Sequence, residues 1–312
     1  MKDNDSAILT SEISLPRRQP AAARSELRWG TALAGIGVLS FSMTFPATAF
    51  ALRGFDPYFV AIGRGALAVV AAVVCLVATG APVLPPWSRL GSYAVTAVCV
   101  VFGFPMLSAL ALDAGASVAH SAVIVGLLPL ATAVCAVLRA GERPRVLFWV
   151  SCVGGALAVT VFTLSRGGGR FAVADLLLVG ALVSAAVGYT EGARLARDTP
   201  GLRVISYALV VAAPVTIPVT VGLLLFGHQS FSVPAFGGFL YVGLISMFLG
   251  FVPWYAGLAR GGIARAGQTQ LLQPLLTLIW AWLLLSESVD AATVTAALAV
   301  LLCVAATQRT RS

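Results

Sequence analysis

The chain has 312 residues, of which 59% are hydrophobic and only 10% charged, with a mean hydropathy of +0.95. A soluble domain carries roughly 25% charged residues, so this chain cannot clothe a water-soluble surface of its size, and disorder of the bulk is excluded by its hydrophobicity. The net charge of +8 does not mark a nucleic-acid binder, because the 20 basic residues are scattered between apolar runs and form no basic face.

What remains is an all-α polytopic membrane protein, with room for roughly ten spans of about 20 apolar residues each. Residues 1–28 are polar, contain Pro16 and Pro20, and are predicted to be a flexible cytoplasmic tail. Ten apolar segments follow, at 30–50, 57–79, 90–110, 116–138, 146–165, 174–194, 203–226, 235–257, 263–285 and 289–307. Asp56-Pro57 supplies an N-cap and a proline at the first helical position, and Pro144 follows Glu142-Arg143 in the same way. Gly167–Gly169 breaks the chain between the fifth and sixth helices, and Asp198-Thr199-Pro200-Gly201 is a turn between the sixth and seventh. The A-x-A patterns in Pro46–Ala51 are those of a signal-peptidase site. The polar stretch before them is long and the apolar run approaches spanning length, so the first helix is expected to be kept.

Lys and Arg give the orientation. With a cytoplasmic N-terminus, 16 basic residues fall on the inside, three (Arg53, Arg166, Arg170) on the outside, and Arg64 within the second helix. That asymmetry predicts both termini in the cytoplasm and a multi-pass protein of the inner (plasma) membrane. Cys75, Cys99, Cys135, Cys152 and Cys303 lie inside apolar runs, are odd in number and form no C-x-x-C; they are expected to be small buried hydrophobes. Gly167–Gly169 is followed by no Gly-Lys-Ser/Thr, so no phosphate loop is present. No metal, cofactor or catalytic residue is expected.

The fourth and ninth helices are alike. Leu127, Pro129, Leu130, Thr132, Ala136, Leu138 and Glu142 recur as Leu272, Pro274, Leu275, Thr277, Ala281, Leu283 and Glu287, at a constant offset of 145. The chain has only five Glu, so two at equivalent places carry weight. Gly37–Ser40 and Gly180–Ser184 are a weaker echo. Ten transmembrane helices as two inverted five-helix repeats follow, 29–165 and 166–308, with 309–312 as a cytoplasmic C-terminus. Five spans per half force the second half to insert upside down, the arrangement of secondary transporters.

The run Ala116–Pro144, with its L-P-L and its G-E-R-P ending, resembles helix 4 and the next turn of the EamA-like transporters of the drug/metabolite transporter superfamily. Gly250–Glu287, with Q-P-L-L-T and the closing L-L-L-S-E, resembles helices 8 and 9 of the same family. Phe55-Asp56-Pro57 followed by Arg64 resembles its P…R pattern at helix 2. The resemblance covers residues 30–307 and implies a ten-helix carrier, with export of amino acids or related metabolites as a frequent activity.

Polar groups inside spans call for explanation. Arg64 is either a tether to a neighbouring helix or a bidentate binder for a carboxylate; the resemblance favours the tether, since it places such an arginine in members of varied substrate. Glu191 and Arg194 share a helix face and form either an ion pair at the inner mouth or a coupling site. His120 opens the fourth helix as a boundary residue or as a proton- or substrate-responsive gate; His228 is expected to be solvated. Glu142 and Glu287 are expected to pair or cap. Pro129 and Pro274 are the best pointers to a midplane site. Gln270, Gln273 and Thr277 share one face, as interhelical glue or as a site lining. Ser40, Phe41, Thr44, Tyr189, Trp254 and Tyr255 suit a zwitterionic or amphipathic solute. The expected function is a secondary exporter of a small organic metabolite such as an amino acid, with the bilayer and that solute as partners, no nucleic acid, and a homodimer left open. A lipid or lipid-linked substrate flippase and a membrane-embedded enzyme are the alternatives.

Overall fold

A computed structural model describes residues 21–140, 146–166, 170–227 and 229–309, and the side chains of 28–138, 146–166, 170–227, 229–260 and 269–306. Glu142, Pro144, Gly167–Gly169 and His228 lie outside the described residues. Within them the chain is helical throughout, with no strand. Eight helices are long and apolar enough to cross a membrane: α1 (Arg28–Ala51), α2 (Phe59–Ala78), α3 (Trp87–Asp113), α4 (Val118–Leu138), α5 (Val146–Arg166), α6 (Val173–Leu195), α7 (Gly201–Phe226) and α8 (Val233–Arg260). Two shorter apolar helices follow, α9 (Leu272–Leu285) and α10 (Ala291–Ala306). Helical geometry starts at Ala21, inside the segment expected to be tail.

The expected ninth helix, 263–285, differs most. Helix runs from Phe251 to Gln270, turns at Leu271 and resumes at Leu272. Arg265, Gln268 and Gln270 make residues 263–271 too polar to extend an apolar span, so only the part after the turn counts.

Most of the helices bury one side and leave an apolar stripe outside, whereas α4 exposes only Leu138 among its described residues. Val70, Val74 and Val77 on α2 are each about three-fifths exposed; at i, i+4 and i+7 they share one face. Such a stripe is a liability in water and a fit to lipid. Between helices, glycine permits contact at backbone range. A Cβ on Gly257 would stand 2.6 Å from the Ala34 nitrogen, and one on Gly37 2.8 Å from the Trp254 Cβ. These positions lock α1 against the α8 rod. The helix ends at Gly80 and Gly115 use φ of +63° and +96°, which glycine tolerates.

The turns contact one another in two groups. At one end, called here the far end, the odd-numbered helices finish. There Ser230 N–H donates to the Gly54 carbonyl at 2.7 Å, Asp56 N–H to Gln229 Oε1 at 3.0 Å, and Val118 N–H to Glu287 Oε1 at 2.8 Å. At the near end Arg89 bridges Asp198 at 3.0 Å. Each of these contacts joins turns that strict up-and-down alternation puts at the same end.

Three helices carry π-helical stretches: Phe59–Gly63 in α2, Ala97–Gly103 in α3 and Tyr241–Leu249 in α8. A π-turn inserts one residue per turn and is frequent at functional sites.

Candidate functional site

All three π-stretches end at one internal cavity. Arg64 is the first residue after the π-turn of α2, Val100 lies in that of α3, and Ser246 and Met247 lie in that of α8. The wall also includes Phe41, Thr44, Phe104, Tyr189, Phe251 and Gln273. The Arg64 side chain is 2% exposed. Its Nη2 donates to Ser246 Oγ at 3.2 Å, and Ser246 Oγ lies 2.7 Å from Thr44 Oγ1. Its Nε has no partner, and no carboxylate of the described residues comes within 4 Å of the guanidinium. A buried cation with one hydroxyl partner is costly. The cavity measures about 20 Å³. One water needs roughly 10–15 Å³, so the cavity has room for little more than one water.

Around the guanidinium stands an aromatic cluster. Phe41 packs on Phe251 at 4.7 Å between ring centres and on Tyr189 at 6.1 Å, while Tyr189 meets Trp254 at 5.7 Å. Phe41 and Tyr189 face the cavity. Trp254 and Tyr255, 2% and 0% exposed, form the layer behind and do not line it. Ser40 is brought elsewhere: its hydroxyl donates to the Ile36 carbonyl at 3.0 Å and its own carbonyl accepts from Tyr241 at 3.1 Å.

A second recess of about 10 Å³ adjoins the first, sharing Leu128 and Gln273 with it. Pro129, Pro274, Gln270, Gln273 and Thr277 all line it, so both prolines and the polar face of the α9 region meet at one point. Thr277 Oγ1 donates to the Ser42 carbonyl at 2.8 Å. Trp280 Nε1 donates to Ser42 Oγ at 3.0 Å, whereas Trp282 is exposed; the two tryptophans point apart, as their spacing implies.

At the far end lies a wider vestibule of about 490 Å³. His120 Nε2 sits 2.6 Å from Asp175 Oδ1, and the imidazole stacks on Phe162 at 5.2 Å. This pair joins α4 to α6. Arg166 bridges Asp290 and donates to Thr293 Oγ1 at 2.6 Å. Backbone and side-chain hydrogen bonds from Thr293, followed by Arg166, hold the Asp290 carboxyl below the usual carboxylate range. The stabilisation from this cap is therefore complete above the ordinary carboxylate pKa and is lost as pH falls through the lowered value.

Glu287 caps α4 from the other half of the chain, taking the N–H of Val118 and of Ala119, each at 2.8 Å. Hydrogen bonds to charged groups contribute about 1.5–3 kcal/mol, and the partial exposure of Glu287 weakens that. Glu287→Ala is expected to cost about 1–2 kcal/mol, seen as a lower melting temperature in detergent, with Glu287→Gln losing less because one acceptor oxygen remains.

At the near end Glu191, 1% exposed, lies 2.9 Å from Arg194 Nη2, the i,i+3 pair its spacing implies. Arg194 also donates to Ser92 Oγ at 2.8 Å. His120 and Glu191 thus sit at opposite ends of the bundle, away from the central cavity.

Among the wall residues that sequence reasoning misses are Phe104, Ser246 and Phe251. Ser246 is the one hydroxyl in the apolar run Val242–Leu249 and could have been found on that ground. The two phenylalanines carry no signal that separates them from core.

Fold and site together define a helical membrane protein with a cationic, aromatic-walled centre and a polar vestibule at one end. The chain belongs to the EamA-like transporter family, whose model matches residues 28–164 and again 172–307. It is therefore a membrane transporter. It is 45% identical over 275 residues to "Uncharacterized transporter YdeK" of Bacillus subtilis (strain 168), covering 88% of this chain and 95% of that protein. It is 25% identical over 257 residues to the "Probable terminal-alkyne amino-acid exporter" of Streptantibioticus cattleyicolor, covering 80% of this chain and 83% of that one. A protein of known crystal structure shares the fold with a TM-score of 0.64 at 18% identity, over 89% of this chain and 95% of that one. Family and relatives indicate a transporter.

Proposed function

We propose that the chain is a secondary exporter of small organic solutes bearing a carboxylate, amino acids foremost, working by alternating access from a site at Arg64. The observation that carries this reading is the buried Arg64 guanidinium, held by a single hydroxyl and facing a cavity walled by residues of both halves. A substrate carboxylate would supply the missing counter-charge and occupy the free Nε. The amino-acid exporter relative agrees in substrate class.

Ten membrane helices in two inverted five-helix repeats form the frame of this reading. Support comes from the two family matches and from two local features that recur at the offset of 145. The helix break at Gly126–Leu127 returns at Leu271, and the π-stretch Ala97–Gly103 returns within Tyr241–Leu249. Both termini lie in the cytoplasm by the positive-inside asymmetry, which puts the far-end vestibule outside the plasma membrane. The test is flux in proteoliposomes loaded with amino acids and related metabolites, with and without ion gradients. Saturable efflux of carboxylate-bearing solutes is expected, and its absence across the whole set overturns the reading.

A further inference from the structure

The small recess beside the central cavity has a donor set that the carboxylate reading leaves unused. Pro129 and Pro274 have no backbone N–H, so the carbonyls four residues earlier, of Val125 and Gln270, lose their helical partners. Val125 and Gln270 both line the recess, and they are equivalent positions at the offset of 145. Gln273, 9% exposed, lines both the recess and the Arg64 cavity, and its Oε1 has no partner. The residues that carry these three neutral oxygen acceptors, two carbonyls freed by proline and one buried amide oxygen, therefore all line a space of about 10 Å³, large enough for one small polar group. Beside them one buried donor, Gln270 Nε2, also lacks a partner. Such a set fits a small cation with N–H donors. An unpaired carboxylate in place of these neutral oxygens would neutralise the neighbouring Arg64; neutral acceptors leave Arg64 free for its own anion.

We propose that this recess is an ammonium subsite, which reads the α-amino group of a zwitterionic substrate whose carboxylate sits at Arg64. The inference rests on the carboxylate role of Arg64 and adds what the second cavity does. It makes the helix breaks at Pro129 and Pro274 specificity elements, since each break exposes one acceptor. A Pro→Ala change returns an N–H that recaptures the carbonyl within the helix, so a proline serving only as a kink and one serving as an acceptor device give different outcomes.

The experiment uses the full-length protein in proteoliposomes, with L-leucine, L-phenylalanine and L-threonine against the 2-hydroxy acid of each. The hydroxy acid keeps the carboxylate and side chain and lacks the ammonium. The expected result is at least a tenfold preference for the amino acid. Gln273→Leu, Pro129→Ala and Pro274→Ala should each reduce that preference at least threefold, while Gln273→Asn, which keeps an acceptor, should retain most of it. Equal flux of amino and hydroxy acids in the wild type overturns the subsite and leaves the carboxylate role of Arg64 standing. No flux of either class overturns both. Proline variants that slow both classes in equal proportion assign the recess to packing and overturn it. Replacing sodium by potassium is expected to leave the preference unchanged. A sodium requirement that rises in Gln273→Leu would give the recess to a metal ion instead, and also overturns the proposal.

Discussion

Replacing Arg64 by methionine is expected to abolish carboxylate transport, lowering initial flux at least about 100-fold, while the melting temperature stays the same or rises. Truncating one partner of a buried charge pair costs about 2–5 kcal/mol in binding, and each 1.4 kcal/mol is about tenfold; the flux estimate follows from the middle of that range. Stability should move the other way. The guanidinium is desolvated in the resting protein with Ser246 as its one hydrogen-bond partner, and replacing buried ionic groups by apolar ones of similar volume is often neutral or stabilising. A structural tether gives the opposite pattern: a lower melting temperature, with residual transport falling only as folded protein is lost. Arg64→Lys separates charge from shape. It keeps the cation and loses the planar fork, so flux should fall by about tenfold. Proteoliposome flux and detergent melting curves on the same preparations decide between the two roles.

The legible part of this molecule lies where a residue type forces the backbone. Pro129 and Pro274 stand out in sequence because each removes an N–H, and the structure brings both to one recess. Arg64 stands out because a cation in an apolar run has few ways to exist. Asp56 is visible as a cap, and its Oδ1 does take the Tyr58 N–H at 2.8 Å. The illegible part lies where geometry has no residue signature. No side chain marks the π-stretches: the Ala97–Gly103 and Tyr241–Leu249 runs share little sequence, yet they aim Val100, Ser246 and Met247 at the cavity. Nor could spacing say that Trp254 and Tyr255 stand one layer behind Phe251, or that Ser40 bonds back to its own helix while Thr44, a turn away, reaches Ser246. In a chain this apolar a wall phenylalanine and a core phenylalanine read alike, and only the position of the cavity tells them apart.

Phe251 turns that blindness into a prediction. Its ring is 5% exposed, stands 4.7 Å from Phe41, 5.7 Å from Tyr189 and 5.4 Å from Tyr255, and forms part of the cavity wall. Phe251→Ala removes the ring that ties these three together, and phenylalanine-to-alanine changes in cores cost about 3–5 kcal/mol, so a marked fall in melting temperature is expected. The same change joins the vacated volume to a cavity of about 20 Å³ beside Arg64. Substrates with larger side chains should gain relative to small ones, by about tenfold or more, since a single methylene in an apolar pocket changes selection by roughly 10–200-fold. Phe251→Leu should lie between. General softening of the bundle would also lower the melting temperature, and Phe148→Ala is the control for it. Phe148 is fully buried and packs on Ala133 and Val137 instead of on the cavity. It should lose comparable stability with no change in the ratio of phenylalanine to alanine flux. A shifted ratio in Phe251→Ala alone would place the side-chain pocket at the aromatic cluster; equal ratios in both variants would remove Phe251 from the binding site and leave it in the core.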